Sequence, residues 1–188
     1  MNILHVLTVF LLMGNTAVAS TPTGTSHDSE VLSAVIQRNC DMAKRSSHGE
    51  VQIIPSKTDT IEVSSFPKSF DKIAIQSLRT RNTVRHELPP VKMCLGFKVV
   101  ASAKINSLFQ SVTSTTKRVS GWQLFHQAFP KAAGILSLSR PGYSKNGQVA
   151  IVQVSYSCGS LCGSGEYWVL HKVHGKWVVA SRSPAWIS

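Results

Sequence analysis

The chain is poor in acid. Of 188 residues only nine are Asp or Glu, against twenty Lys or Arg, and the formal net charge is +11. Eight of the nine acids (Asp28, Glu30, Asp41, Glu50, Asp59, Glu62, Asp71 and Glu87) precede residue 88. From Leu88 onward eleven Lys or Arg face the lone carboxylate of Glu166, a balance of +10. Glycoside hydrolysis needs two carboxyl groups about one bond, and calcium or magnesium needs several oxygen ligands. Both chemistries are disfavoured in this second part. The earlier acids are scattered singly and read as solvated surface.

Catalytic signatures are missing as well. There is no GxSxG elbow, no phosphate-binding P-loop, no HExxH and no dinucleotide fingerprint. No second CxxC and no HxxxH completes a tetrahedral metal site. No metal and no cofactor is expected.

A run of apolar residues long enough to cross a bilayer, about 20, is also absent. The stretch Ile3–Met13 is shorter, lies in an uncharged segment and leads to Ala17-Val18-Ala19. This is the shape of a secretory signal peptide cleaved before Ser20. No cysteine follows it to carry a lipid. The predicted layout is a signal peptide over 1–19, a flexible leader over 20–28 and one domain over 29–188. The destination is periplasmic or secreted, with no integral span after cleavage.

Four cysteines in an exported chain suggest disulfides. Three pairings are formally possible; Cys158 with Cys162 and Cys40 with Cys94 is the simplest. The run Cys158-Gly159-Ser160-Leu161-Cys162-Gly163-Ser164-Gly165 admits other readings. As a redox site it is CxxxC and lacks the strand-to-helix setting that lowers a thiol pKa. As a nucleophile, either cysteine needs a histidine base such as His126 or His171. As metal ligands, two thiolates are half a site. A disulfide closing a glycine-rich loop is the simplest reading.

Apolar spacing predicts a helix over Glu30–Lys44 through Val31, Leu32, Val35 and Ile36, with Cys40 on or beside its buried face. Val51–Pro55 and Thr60–Ser64 read as a hairpin. A helix is predicted over Phe70–Asn82, and Leu88-Pro89-Pro90 forces an extended path after it. Met93–Ala101 reads as a strand. Residues 107–118 are polar and give no clear signal. Trp122, Phe125 and Phe129 line one face of a short helix ended by Pro130. Four strands follow at Ile135–Arg140, Val149–Tyr156, Glu166–Val173 and Lys176–Arg182. If His174-Gly175 is a two-residue turn, Val173 faces Lys176, Leu170 faces Val179 and Trp168 faces Ser181. That hairpin is apolar on both faces, so it is expected inside the sheet. Trp186 is expected to dock back on the body. The predicted fold class is α+β, an antiparallel meander of four or more strands covered by short helices.

The pattern GWxxFxxxFP, GILSLSRPGYS, CGSLCGSGEY and GKWVV over residues 121–179, about a third of the chain, resembles a group of uncharacterised exported bacterial proteins. The resemblance implies a common fold and no particular activity.

The basic half points to anions, which a positive field concentrates. Candidate anion-binding residues are Arg140, Lys145, Lys172, Lys176 and Arg182. Arg140, beside Pro141-Gly142, either offers its guanidinium to an anion or braces its own turn. Gly163-Ser164-Gly165 with Ser160 is a candidate for an N–H nest. The function expected is a non-enzymatic binding or accessory protein whose basic surface meets lipid head groups, polysaccharide or another exported protein, and not nucleic acid. The alternative is a thiol-dependent hydrolase or oxidoreductase using Cys158 or Cys162.

Overall fold

A computed structural model describes residues 24–43, 51–61, 66–110 and 119–188. The predicted signal peptide and residues 20–23 lie outside them. The element order is α1 (Gly24–Ala43), β1 (Val51–Pro55), α2 (Lys72–Arg81), β2 (Phe97–Val100), α3 (Ser102–Gln110) and α4 (Gly121–Ala128). Then come β3 (Ala132–Leu138), β4 (Gly142–Tyr143), β5 (Val149–Gly159), β6 (Cys162–Val173) and β7 (Lys176–Ile187).

The class is α+β, but the sheet is mixed. Its strand order is β2-β1-β3-β5-β6-β7, with β4 paired to β5. β1 runs parallel to both β2 and β3, and the rest is an antiparallel meander. The hairpin expected from Val51–Pro55 and Thr60–Ser64 does not form: β1 takes its partners from β2 and β3, while residues 62–65 lie outside the described chain. Parallel neighbours need long crossovers, and here α2 and the α3–α4 pair lie within them.

Side-chain alternation splits the core between two faces. On one face Ile54, Leu136, Leu138, Val152, Trp168, Leu170 and Trp177 pack against Val31, Leu32, Val35 and Ile36 of α1. On the other, Ile53 and Ile135 pack against Ile105 of α3 and Phe125 of α4. Ile151, Tyr167 and Val169 meet Ala74 and Leu78 of α2 on that same face.

The helices are fixed by local signals. Asp71 caps α2, accepting the Ala74 N–H at 2.8 Å. Ser120 and Gln123 form a reciprocal capping box on α4. α1 starts at Gly24, so residues 24–28, expected in the leader, are helical. Gly142 lets α2 lie directly on β4, since a Cβ there would strike the backbone of Ala74 and Leu78.

The β6–β7 hairpin turns at His174-Gly175, both at positive φ (48° and 77°), the geometry of a two-residue primed turn. Val173 faces Lys176 and Leu170 faces Val179, as expected. A bulge between Val169 and Leu170 then moves Trp168 opposite Arg182 instead of Ser181. β7 is an edge strand, not an interior one, and its Val178 is half exposed (50%). It runs on through Pro184, which an edge tolerates. Trp186 docks over Gly163 and Gly165, where any side chain would displace its indole.

Candidate anion-binding groove beside Trp177

The segment after Pro89-Pro90 lies as an extended strap along α1, attached at three points. Ser29 Oγ donates to the Pro90 carbonyl, Ser33 Oγ accepts the Lys92 N–H at 2.9 Å, and Cys40 is disulfide-bonded to Cys94. Residues 29, 33 and 40 fall on one helical stripe, while 90, 92 and 94 point to one side of an extended chain. The lengths agree: eleven residues of helix rise about 16 Å, and four extended residues span about 13 Å.

Between this strap, the first turns of α1 and the β6–β7 turn lies an open groove of about 590 Å³. Pro90, Val91 and Trp177 give it an apolar wall, and Lys92 and Lys176 project at its edges. Trp177 is buried to 8% exposure, and its indole N–H has no hydrogen-bond acceptor among the described residues. Lys172 lies over the same ring, 5.6 Å from its centroid, and 3.9 Å from Glu30. Among the described residues neither Lys92 nor Lys176 has a carboxylate within ion-pair reach.

Behind Trp177 sits a buried ionic cluster. Asp28, whose side chain is 3% exposed, accepts two bonds from Arg81 Nη2, at 3.0 and 2.8 Å, and one from Arg140 Nε at 3.1 Å. Tyr143 donates its hydroxyl to Asp28 at 2.9 Å and places its ring 6.0 Å from Trp177. Burial drives the Tyr143 pKa far above its ordinary value, and the charge of Asp28 and its hydrogen bond push the same way. Asn82 locks the arginine turn, accepting the Arg140 N–H at 2.7 Å and donating to its carbonyl at 3.0 Å. One carboxylate thus serves two guanidinium groups. Lys172 lies over the Trp177 ring and Lys92 and Lys176 line the groove with it, while Arg81 and Arg140 stay on Asp28, one ring contact away through Tyr143.

The five basic residues singled out in the sequence divide. Lys176 lines this groove, and Lys172 lies over the ring of its Trp177. Lys145 is exposed on the β4–β5 turn, which the Lys172 N–H ties alongside β6 through the Gln148 carbonyl at 2.9 Å. Arg140 spends its Nε on Asp28. Arg182 lies elsewhere on the sheet, over the Trp168 ring at 5.4 Å and 3.6 Å from Glu166. Sequence reading missed Asp28, taken as leader, and Lys92. The proline pair did signal the extended strap.

Both disulfides pair as expected, and no described cysteine is free. Cys158 and Cys162 close the tip of the β5–β6 hairpin. His171 lies nine residues along β6 from Cys162, about 30 Å of strand, so it cannot serve those cysteines as a base. Gly163 and Gly165 are covered by Trp186 and present no open nest. Among the described residues, no group of three or more His, Cys, Asp or Glu could hold a metal ion. No described helix is long and apolar enough to cross a membrane. No protein-family model, no curated protein and no solved structure matches this chain.

Proposed function

We propose that the protein is an exported binding protein whose groove beside Trp177 receives an anionic group of its partner. The observation that carries this reading is the pair of unpaired ammonium groups, Lys92 and Lys176, at the edges of an open groove with a buried tryptophan in its wall. A phosphate, sulfate or carboxylate between them gains charge-assisted hydrogen bonds. The apolar wall of Val91 and Trp177 takes the carbon skeleton beside it. Lys172, held by Glu30 and the indole ring, adds field without leaving its place.

Export is supported by the signal-like residues 1–19 and by two disulfides, which persist in oxidising compartments. Acidic polysaccharide and anionic lipid head groups share the required chemistry. Retention on a polyuronate column and co-sedimentation with phosphatidylglycerol vesicles, both across a salt series, separate these sources. Binding to at least one that weakens with salt is expected. Salt-independent retention, or none at low salt, overturns the reading.

A further inference from the structure

The sheet face opposite the Trp177 groove is roofed by α2, α3 and α4, and a roofed face is ordinarily apolar. It begins so, with buried Ile135 on β3 and Ile151 on β5. It then turns polar: Ser137 follows on β3, and Gln153, Ser155 and Ser157 follow on β5. A cavity of about 240 Å³ lies over Ser137 and Ser157, beneath Asn106 and Phe109 of α3 and Trp122 of α4. Trp122 and Phe109 meet edge to face at 5.2 Å and form an aromatic wall.

The polar groups here fall into two kinds. Charged ones at the rim are matched, Arg85 with Asp59 at 3.1 Å and Lys57 with Glu87 at 3.3 Å. Of the uncharged ones, Ser102 Oγ accepts the Lys57 N–H at 3.0 Å, but three others are unmatched. The hydroxyls of Ser137 and Ser157 and the carboxamide of Asn106 have no hydrogen-bond partner among the described residues. Gln153 Oε1, further along this face of β5 beyond Ser155 and outside the cavity lining, is buried without one among the described residues. Every charge already has its counter-charge, so an ionised ligand gains little. Hydroxyl and amide groups that both donate and accept match a ligand rich in hydroxyls.

We propose that this cavity is a second binding site, for one neutral hydroxyl-bearing ring, a monosaccharide unit. Its volume equals that of about eight liquid waters, which suits one ring and excludes a chain. The ring's C–H face lies on the Trp122 and Phe109 wall, and its hydroxyls reach Ser137, Ser157 and Asn106. The site uses no ion pair, so its occupancy is insensitive to salt, unlike that of the groove.

The test is saturation-transfer NMR on the full chain with glucose, galactose, mannose and N-acetylglucosamine, with acetate and glycine as charged controls. At least one sugar is expected to receive saturation at ring C–H protons, equally at low and high salt. Ser157→Val, which fills the floor, and Asn106→Ala, on an exposed position of α3, should each weaken that binding about tenfold, the equivalent of one or two hydrogen bonds. Asn106→Ala should leave the melting temperature unchanged. The proposal is overturned if no sugar binds, if both variants bind as wild type does, or if acetate or glycine competes. Such a failure leaves the lysine groove untouched, because none of these residues lies in it.

Discussion

Asp28 and Arg140, 112 residues apart, are joined by a 3.1 Å hydrogen bond that fastens the first turns of α1 to the turn between β3 and β4. Arg81 closes the cluster from α2. Three elements that share no backbone pairing are therefore tied through one buried carboxylate. Removing it strands two guanidinium groups, each only about a fifth exposed (22% and 23%). Asp28→Ala is expected to cost about 3 to 5 kcal/mol. Equilibrium urea denaturation measures it, and a loss below about 1 kcal/mol, the range of a surface pair, contradicts the account.

Tyr143 gives this cluster a pH signature. Burial and Asp28 raise its folded pKa far above the ordinary phenol value of 10.0. Between the unfolded and folded values the folded state holds the proton more tightly, so stability falls as pH rises. The contribution is whole below about pH 10 and declines above it. Tyr143→Phe is expected to lose about 1 to 2 kcal/mol at neutral pH, from the missing hydrogen bond. Its stability should then fall less steeply than that of wild type as pH rises above about 10. Parallel pH profiles would show that Tyr143 does not contribute.

The two disulfides should differ in strength. Cys40–Cys94 spans a sequence separation of 54 and pins the strap to α1, whereas Cys158–Cys162 spans only 4. Loop-closure entropy gives about 4 kcal/mol for the first and about 2 kcal/mol for the second. Thermal unfolding of the two double Cys→Ser variants checks the order. Only the first should also weaken anion binding, because Lys92 rides on the strap. Quantitative thiol counting on unreduced protein should find no free thiol; a free Cys158 or Cys162 would move the chemistry to the hairpin tip.

Much of the fold was legible because its signals are local. The register of β6 and β7 near the turn follows from His174-Gly175 and strand alternation. α4 follows from its aromatic spacing, α2 from its period and α1 from the Val31–Ile36 stripe. The parallel pairing of β1 was not legible, since five residues carry no mark of partners more than forty positions away. α3 was missed because Ser102, Ser107 and Asn106 dilute its stripe to Ile105 and Leu108. The bulge at Val169 and Leu170 has no sequence mark, so Trp168 was expected opposite Ser181 and not opposite Arg182. At the groove, Lys172 and Lys176 were visible from their hairpin. Lys92 was not, because the strap comes to lie beside that hairpin only through tertiary packing.

The groove itself is tested most directly by the salt dependence of binding in wild type and the Lys92→Gln/Lys176→Gln double variant, using whichever anionic surface retains the wild type. Both lysines are exposed and unpaired among the described residues, so the variant should keep its melting temperature. The account predicts weaker binding and a slope of log affinity against log salt that is shallower by about two, one for each cation removed. An unchanged affinity and an unchanged slope would place the anion contact elsewhere on this basic chain and contradict the account.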